Sequence, residues 1–177
     1  DYDNFTLTNS VFTENMSRYG GAVAFNGGGG RTHTLLNNTM MFNIATASGG
    51  ALSGNAADTV NLQNNILANN FGSNSAVYNN CSSGTYNSLD YNISNSTSCG
   101  TTNTNDINIA SIAPVALGSN LSPLPIIQLN ASSTGVDSGA GGCPATDVRN
   151  QTRDGQCDIG AFEYLGDSPT GLTYNTE

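Results

Sequence analysis

The chain has 177 residues, with 4 Lys plus Arg against 13 Asp plus Glu, a net charge of -9 and a pI near 4.1. Such an excess of acid repels phosphate backbones and anionic lipid heads, which excludes nucleic acid as a partner, and no apolar run approaches the ~20 residues of a membrane-spanning helix. Charged residues make up 10% and hydrophobic residues 37%, too little charge and too much apolar content for an acidic disordered tail.

The surface must therefore be covered by hydroxyls and amides, and the chain carries 26 Asn and 38 Ser plus Thr. These residues and Gly disfavour helix interiors, whereas secreted β proteins use them freely. The chain enters a strand-like pattern directly after Asp1-Tyr2-Asp3. This is read as an exported protein whose targeting signal lay upstream.

Residues 1–105 are expected to form repeating coils. Leu7-Thr8-Asn9-Ser10-Val11-Phe12-Thr13-Glu14-Asn15 aligns with Leu35 to Asn43 and with Leu62 to Asn70, at offsets of 28 and 27. Gly20-Gly21-Ala22-Val23 recurs as Gly49-Gly50-Ala51-Leu52, and a weaker fourth copy begins near Ser88. Apolar residues alternate in short bursts broken by Asn and Gly, the pattern of brief strands between turns. Helical repeats need longer arms, and leucine-rich repeats need more Leu. An all-β, right-handed parallel β-helix remains, each coil stacking on the one before. Stacking places like on like, about 4.7–4.9 Å apart. Leu7, Leu35 and Leu62 should form an aliphatic column inside. Asn9, Asn37 and Asn64 should form one amide ladder, and Asn15, Asn43 and Asn70 a second.

Four cysteines follow, Cys81, Cys99, Cys143 and Cys157. Pairing neighbours closes loops of 18 and 14 residues and is one of three connectivities. A four-Cys zinc site is the alternative, but no Cys-x-x-Cys pair exists and the single histidine, His33, is remote in sequence. Disulfides in an oxidising compartment are the better reading. Nine Asn-x-Ser/Thr sequons occur, close to chance for this composition; Asn80, Asn92 and Asn95 are the candidate glycan carriers.

From residue 106 to 164 the repeat gives way to a proline-richer block that should cap the solenoid. Asp137, Asp147, Asp158 and Glu163 lie near Arg149 and Arg153. Carboxylate–guanidinium pairs would lock such a cap. The counter-reading is a calcium site on the same four carboxylates, which the two arginines oppose. Residues 165–177 read as a flexible tail or linker.

Two resemblances accompany this pattern. Phe12-Thr13-Glu14-Asn15 and Gly20-Gly21-Ala22-Val23 resemble the repeats of polymorphic outer-membrane proteins and other bacterial surface β-helices. Cys157-Asp158-Ile159-Gly160-Ala161-Phe162-Glu163, with Asp147-Val148-Arg149 and Arg153 before it, resembles the terminal region of the choice-of-anchor Q family over residues 80–164. Asn150 stands where that family usually has Gly, at a turn whose left-handed conformation Asn tolerates. The resemblance implies a large secreted bacterial β-helix protein.

No cofactor is expected. Glu14 and Asp58 are dispersed over separate coils, Arg18 and Arg31 read as turn residues, and His33 as solvent-facing or hydrogen-bonded. The expected role is a non-enzymatic structural or adhesive protein of a bacterial surface, with end-to-end stacking into a filament or sheath as one form. Its partners would be copies of itself, neighbouring surface proteins or cell-surface carbohydrate. The alternative is a carbohydrate-binding or carbohydrate-cleaving module with its active part upstream, which should display a row of exposed aromatics.

Overall fold

The computed structural model describes residues 4–26, 30–73, 78–109, 129 and 131–166. Coil 1 contains β1 (Thr6–Thr8), β2 (Val11–Thr13), β3 (Met16–Tyr19) and β4 (Val23–Ala24). Coil 2 contains β5 (Thr32–Leu36), β6 (Thr39–Met41), β7 (Ile44–Ser48) and β8 (Leu52–Ser53). Coil 3 contains β9 (Thr59–Gln63), β10 (Ile66–Ala68), β11 (Phe71–Gly72) and β12 (Cys81–Ser82). A partial fourth coil holds β13 (Thr85–Ser88), β14 (Ile93–Ser94), a 3-10 turn at Thr97–Cys99 and β15 (Ile107–Asn108).

Strands pair in parallel with their counterparts one coil away, and β15 pairs with β14, giving sheets ordered β1-β5-β9-β13, β2-β6-β10-β14-β15, β3-β7-β11 and β4-β8-β12. The fold is a parallel β-solenoid. Leu7, Leu35 and Leu62 occupy one column in direct register, which Ser88 continues. Phe12, Met40, Leu67 and Ser94 form a second column, and Val23, Leu52 and Cys81 a third. Leu35, Met40, Leu52, Leu62 and Leu67 are fully buried in the shared core. At about 25 cal/mol per Å² of buried apolar area, these columns hold the coils together.

Two left-handed corners bound β2, β6 and β10 in each coil. Asn9, Asn37 and Asn64 take φ of 47°, 53° and 54°; Glu14, Phe42 and Asn69 take 58°, 60° and 55°. Asn accepts this conformation at low cost, which explains its recurrence at turns. The Gly-Gly pairs have a packing cause as well: a Cβ on Gly21 would lie 2.2 Å from the Gly50 carbonyl oxygen.

Asp106 and β15 open the C-terminal block on the end of the stack, but its described residues from 135 onward do not sit there, as a cap would. Residues 135–164 run as a strap along the flank, over the outer face of β6, β10 and β14. Ile159 joins Met41, Ile66, Ala68 and Ile93 in a second core there. β6, β10 and β14 are thus buried on both faces. Strap contacts reach coil 4 at Ile93, coil 3 at Asn64, coil 2 at Asn37 and Thr39, and coil 1 at Asn9. Among the described residues, those that cover the coil 4 side lie within 78–108. Tyr78 bridges back to Phe71, the Ser98 hydroxyl accepts from the Cys81 N–H, and the Cys81–Cys99 bridge fills the core beneath. Segments around Pro114 and Ser122, the sequons Asn120 and Asn130, and tail residues 167–177 lie outside the described residues.

Candidate functional site

The chemistry of this molecule is concentrated in its buried amides and carboxylates. Asn15, Asn43, Asn70 and Asn80 form a continuous ladder: successive Nδ2–Oδ1 distances are 3.0, 2.9 and 2.9 Å. Each Nδ2 from Asn43 onward also donates to a main-chain carbonyl earlier in the chain: Phe12, Met40 and Leu67. The expected ladder of Asn9, Asn37 and Asn64 does not form. These residues sit at the left-handed corner, which turns their side chains outward to the strap. Asn9 Nδ2 donates to the Thr146 carbonyl, Asn37 Nδ2 to the Asp158 carbonyl at 3.0 Å and Asn64 Nδ2 to the Ala140 carbonyl at 3.0 Å. One weak link of 3.4 Å joins Asn64 to Asn37.

The inward ladder lies one residue further along, at Asn38, Asn65 and Asn92. Nδ2 of Asn38 donates to Asn65 Oδ1 at 3.0 Å, and that of Asn65 to Asn92 Oδ1 at 3.1 Å. Asp106 ends this ladder, accepting from the Asn92 N–H at 2.9 Å and its Nδ2 at 3.2 Å. A carboxylate suits the last rung because that rung only accepts. The doublets Asn37-Asn38 and Asn64-Asn65 carried this signal. Coil 1 obscured it by placing Ser10 where the ladder begins.

In the strap, Asp147 and Arg149 pair at 2.7 Å, and Arg153 and Glu163 at 2.6 Å. The Glu163 and Asp147 side chains are fully buried, and Arg153 is nearly so. Arg149 also stacks on Phe162 at 3.7 Å. Arg153 spans the strap and coil 1 through its bond to Asn9 Oδ1 at 3.0 Å. Asp137 and Asp158, expected in the same network, form no ion pair among the described residues. Asp158 is wholly buried and instead accepts the N–H groups of Asp137 and Tyr164. Burial raises its pKa to about 6, with the Glu163 and Asp137 charges adding to the rise. The four carboxylates are not gathered as a calcium site; among the described residues no three His, Cys, Asp or Glu side chains converge for a metal ion. Asn150 takes the left-handed conformation, φ 63°, and its N–H closes the turn onto the Asp147 carbonyl.

Both neighbouring cysteine pairs form disulfides, Cys81–Cys99 in the core and Cys143–Cys157 in the strap. The glycan assignments change. Asn80 and Asn92 are fully buried ladder members, and Asn95 binds Asn69 at 2.8 Å. Asn4, Asn15 and Asn150 are the exposed sequons among the described residues.

His33 does not face solvent. It lies inside coil 2, its ring 4.5 Å from Phe5 and 4.9 Å from Phe25, while its Nδ1 accepts the Phe5 N–H at 3.4 Å. Burial lowers its pKa, opposed by Asp58 and aided by Arg31. Arg31 is no simple turn residue, because it meets the buried Asp58 of the next coil at 3.4 Å. Tyr86 occupies the same inner column, donates to the Ser82 carbonyl at 2.9 Å and has its pKa raised by burial. No protein-family model matches this chain, and no curated protein or solved structure matches it.

Proposed function

We propose that this chain is the closing segment of a non-enzymatic, extracellular structural or adhesive β-helix on a bacterial surface. The observation that carries the reading is the difference between the two ends of the stack. On the coil 4 side the apolar columns shorten to Ser88 and Ser94, and Asp106 terminates the inward ladder. On the coil 1 side β1, β2, β3 and β4 are all edge strands, with Leu7, Phe12 and Val23 only partly buried and Phe5 exposed. One further coil laid there, from preceding residues or from a second copy, would continue each column and cover each edge. Among the described residues Tyr78 bridges to β11 and the turn at Thr97–Cys99 lies against β12 on the coil 4 side, which opposes head-to-tail growth of this segment alone into a filament. The disulfides support an oxidising, exported setting.

The carbohydrate alternative gains little support, because the outward column of Met16, Ile44 and Phe71 carries a single aromatic. Electron microscopy of native surface material tests the proposal: rods with one closed tip labelled by an antibody to the strap are expected. Label along the shaft, or turnover of a polysaccharide by the native protein, would overturn it.

A further inference from the structure

The outward face of the β1-β5-β9-β13 sheet differs from every other surface of the solenoid. Two rows of uncharged polar side chains cross it at right angles to the strands, and a third row of Thr8, Leu36 and Gln63 runs beside them. One holds Thr32, Thr59 and Thr85 in register, with Asn4 below them bonding the Thr32 N–H at 2.8 Å. The other holds Thr6, Thr34, Asn61 and Asn87. All eight are exposed or half-exposed and none is charged, on a molecule of net charge -9. The register runs unbroken through all four strands, whereas the β3–β7 pairing shifts between Ser17 and Tyr19. The strap runs over the neighbouring sheet and meets this one at Gln63, whose amide donates to the Gly141 carbonyl at 2.9 Å; among the described residues the two rows themselves are left open.

Strand geometry fixes the spacings of such a face. Groups repeat about every 4.7–4.9 Å across the strands and roughly every 6.6–6.8 Å along them, from position i to i+2. Threonine on a strand holds its χ1 stiffly, so its hydroxyl and methyl stay in place. Asn61 is steadied by the Asn87 amide at 2.9 Å. The result is a regular, uncharged array of groups that both donate and accept hydrogen bonds. The repeat across the strands lies close to the shorter oxygen repeat on a prism face of ice, while the repeat along them falls short of the longer one. Neutral charge matches a neutral lattice, and anchored hydroxyls and methyls order water without the entropy cost of longer side chains. A flat polysaccharide would need aromatic platforms to stack on, and the rings on the strands of this sheet, His33 and Tyr86, pack inward.

We infer that this face binds ice, holding a layer of ordered water in register with the crystal surface. The inference stands apart from the surface-rod reading above. It is tested with the full chain, both disulfides intact, by incorporation into a slowly growing ice hemisphere and by inhibition of ice recrystallisation. The wild type should enter the ice and slow coarsening. Thr34→Tyr and Thr59→Tyr should lose both effects, while Thr46→Tyr on the exposed side of β7 should retain them. Circular dichroism establishes that each variant is folded; if a tyrosine is not accommodated, Thr59→Val keeps the shape, removes one hydroxyl and should still weaken incorporation. Exclusion of the wild type from ice overturns the inference. So does binding to crystalline cellulose or chitin in place of ice, or face variants that behave as the wild type does.

Discussion

Replacing Asn65 with Ala strikes the inward ladder at its middle. Asn65 is fully buried, and its side chain makes four hydrogen bonds. Its Oδ1 accepts from the N–H and the Nδ2 of Asn38, both at 3.0 Å; its Nδ2 donates to the Leu35 carbonyl at 2.8 Å and to Asn92 Oδ1 at 3.1 Å. Asn38 Nδ2 and Asn92 Oδ1 keep other partners, Leu7 and the Asn65 N–H respectively. The Asn38 N–H loses its acceptor, and the Leu35 carbonyl loses a donor. Two buried backbone groups deprived in this way cost about 3–5 kcal/mol together. That is a large part of the 5–15 kcal/mol typical of a domain. Asn15→Ala, at the exposed start of the other ladder, should cost about 1 kcal/mol or less, because water replaces what it loses. Urea unfolding followed by circular dichroism measures both. Equal losses in the two variants would refute the ladder as a source of stability.

Three further outcomes are expected. Glu163→Gln leaves the buried Arg153 guanidinium without its counter-charge, a loss of about 3–5 kcal/mol in unfolding free energy; an unchanged urea midpoint would contradict the pairing. Asp158 has a folded pKa raised from 3.8 to about 6. Its contribution is therefore fully present below pH 4 and is lost as pH rises through 6, and Asp158→Asn should remove that downward trend. His33 is shifted the opposite way, so its contribution is lost as pH falls below its ordinary value of 6.5. Urea midpoints from pH 4 to 8 for wild type and D158N separate the two. Finally, dithiothreitol should open Cys143–Cys157 first, since Cys143 is only half-buried while Cys99 is enclosed in the core. Alkylation and peptide mass spectrometry read the order, and prior opening of Cys81–Cys99 would be the contrary result.

Repetition made part of this architecture legible. The Leu7, Leu35 and Leu62 column and the Asn15, Asn43 and Asn70 ladder follow from like residues at one spacing, because parallel pairing one coil apart leaves them no other place. The Asn9, Asn37 and Asn64 match is as regular in sequence but has a different cause. A left-handed corner selects Asn as strongly as a ladder does, and letters alone do not separate the two. The position of the strap was hidden because a non-repeating segment carries no register. Its trace is in the sheet it covers. Met40-Met41 and Ile66-Leu67-Ala68 are apolar at successive positions, which a strand exposed on one side does not require. Arg31 and Asp58 escaped notice because each looks isolated until the coils bring them together.

The bond from Arg153 to Asn9 joins positions 144 residues apart. A solenoid held only by neighbouring coils can unzip from an end, one unit at a time. Here the strap is tied to coil 1, so loosening that coil also strains the clasp across the others. A linear stack becomes a closed circuit, and its melting should be a single concerted event.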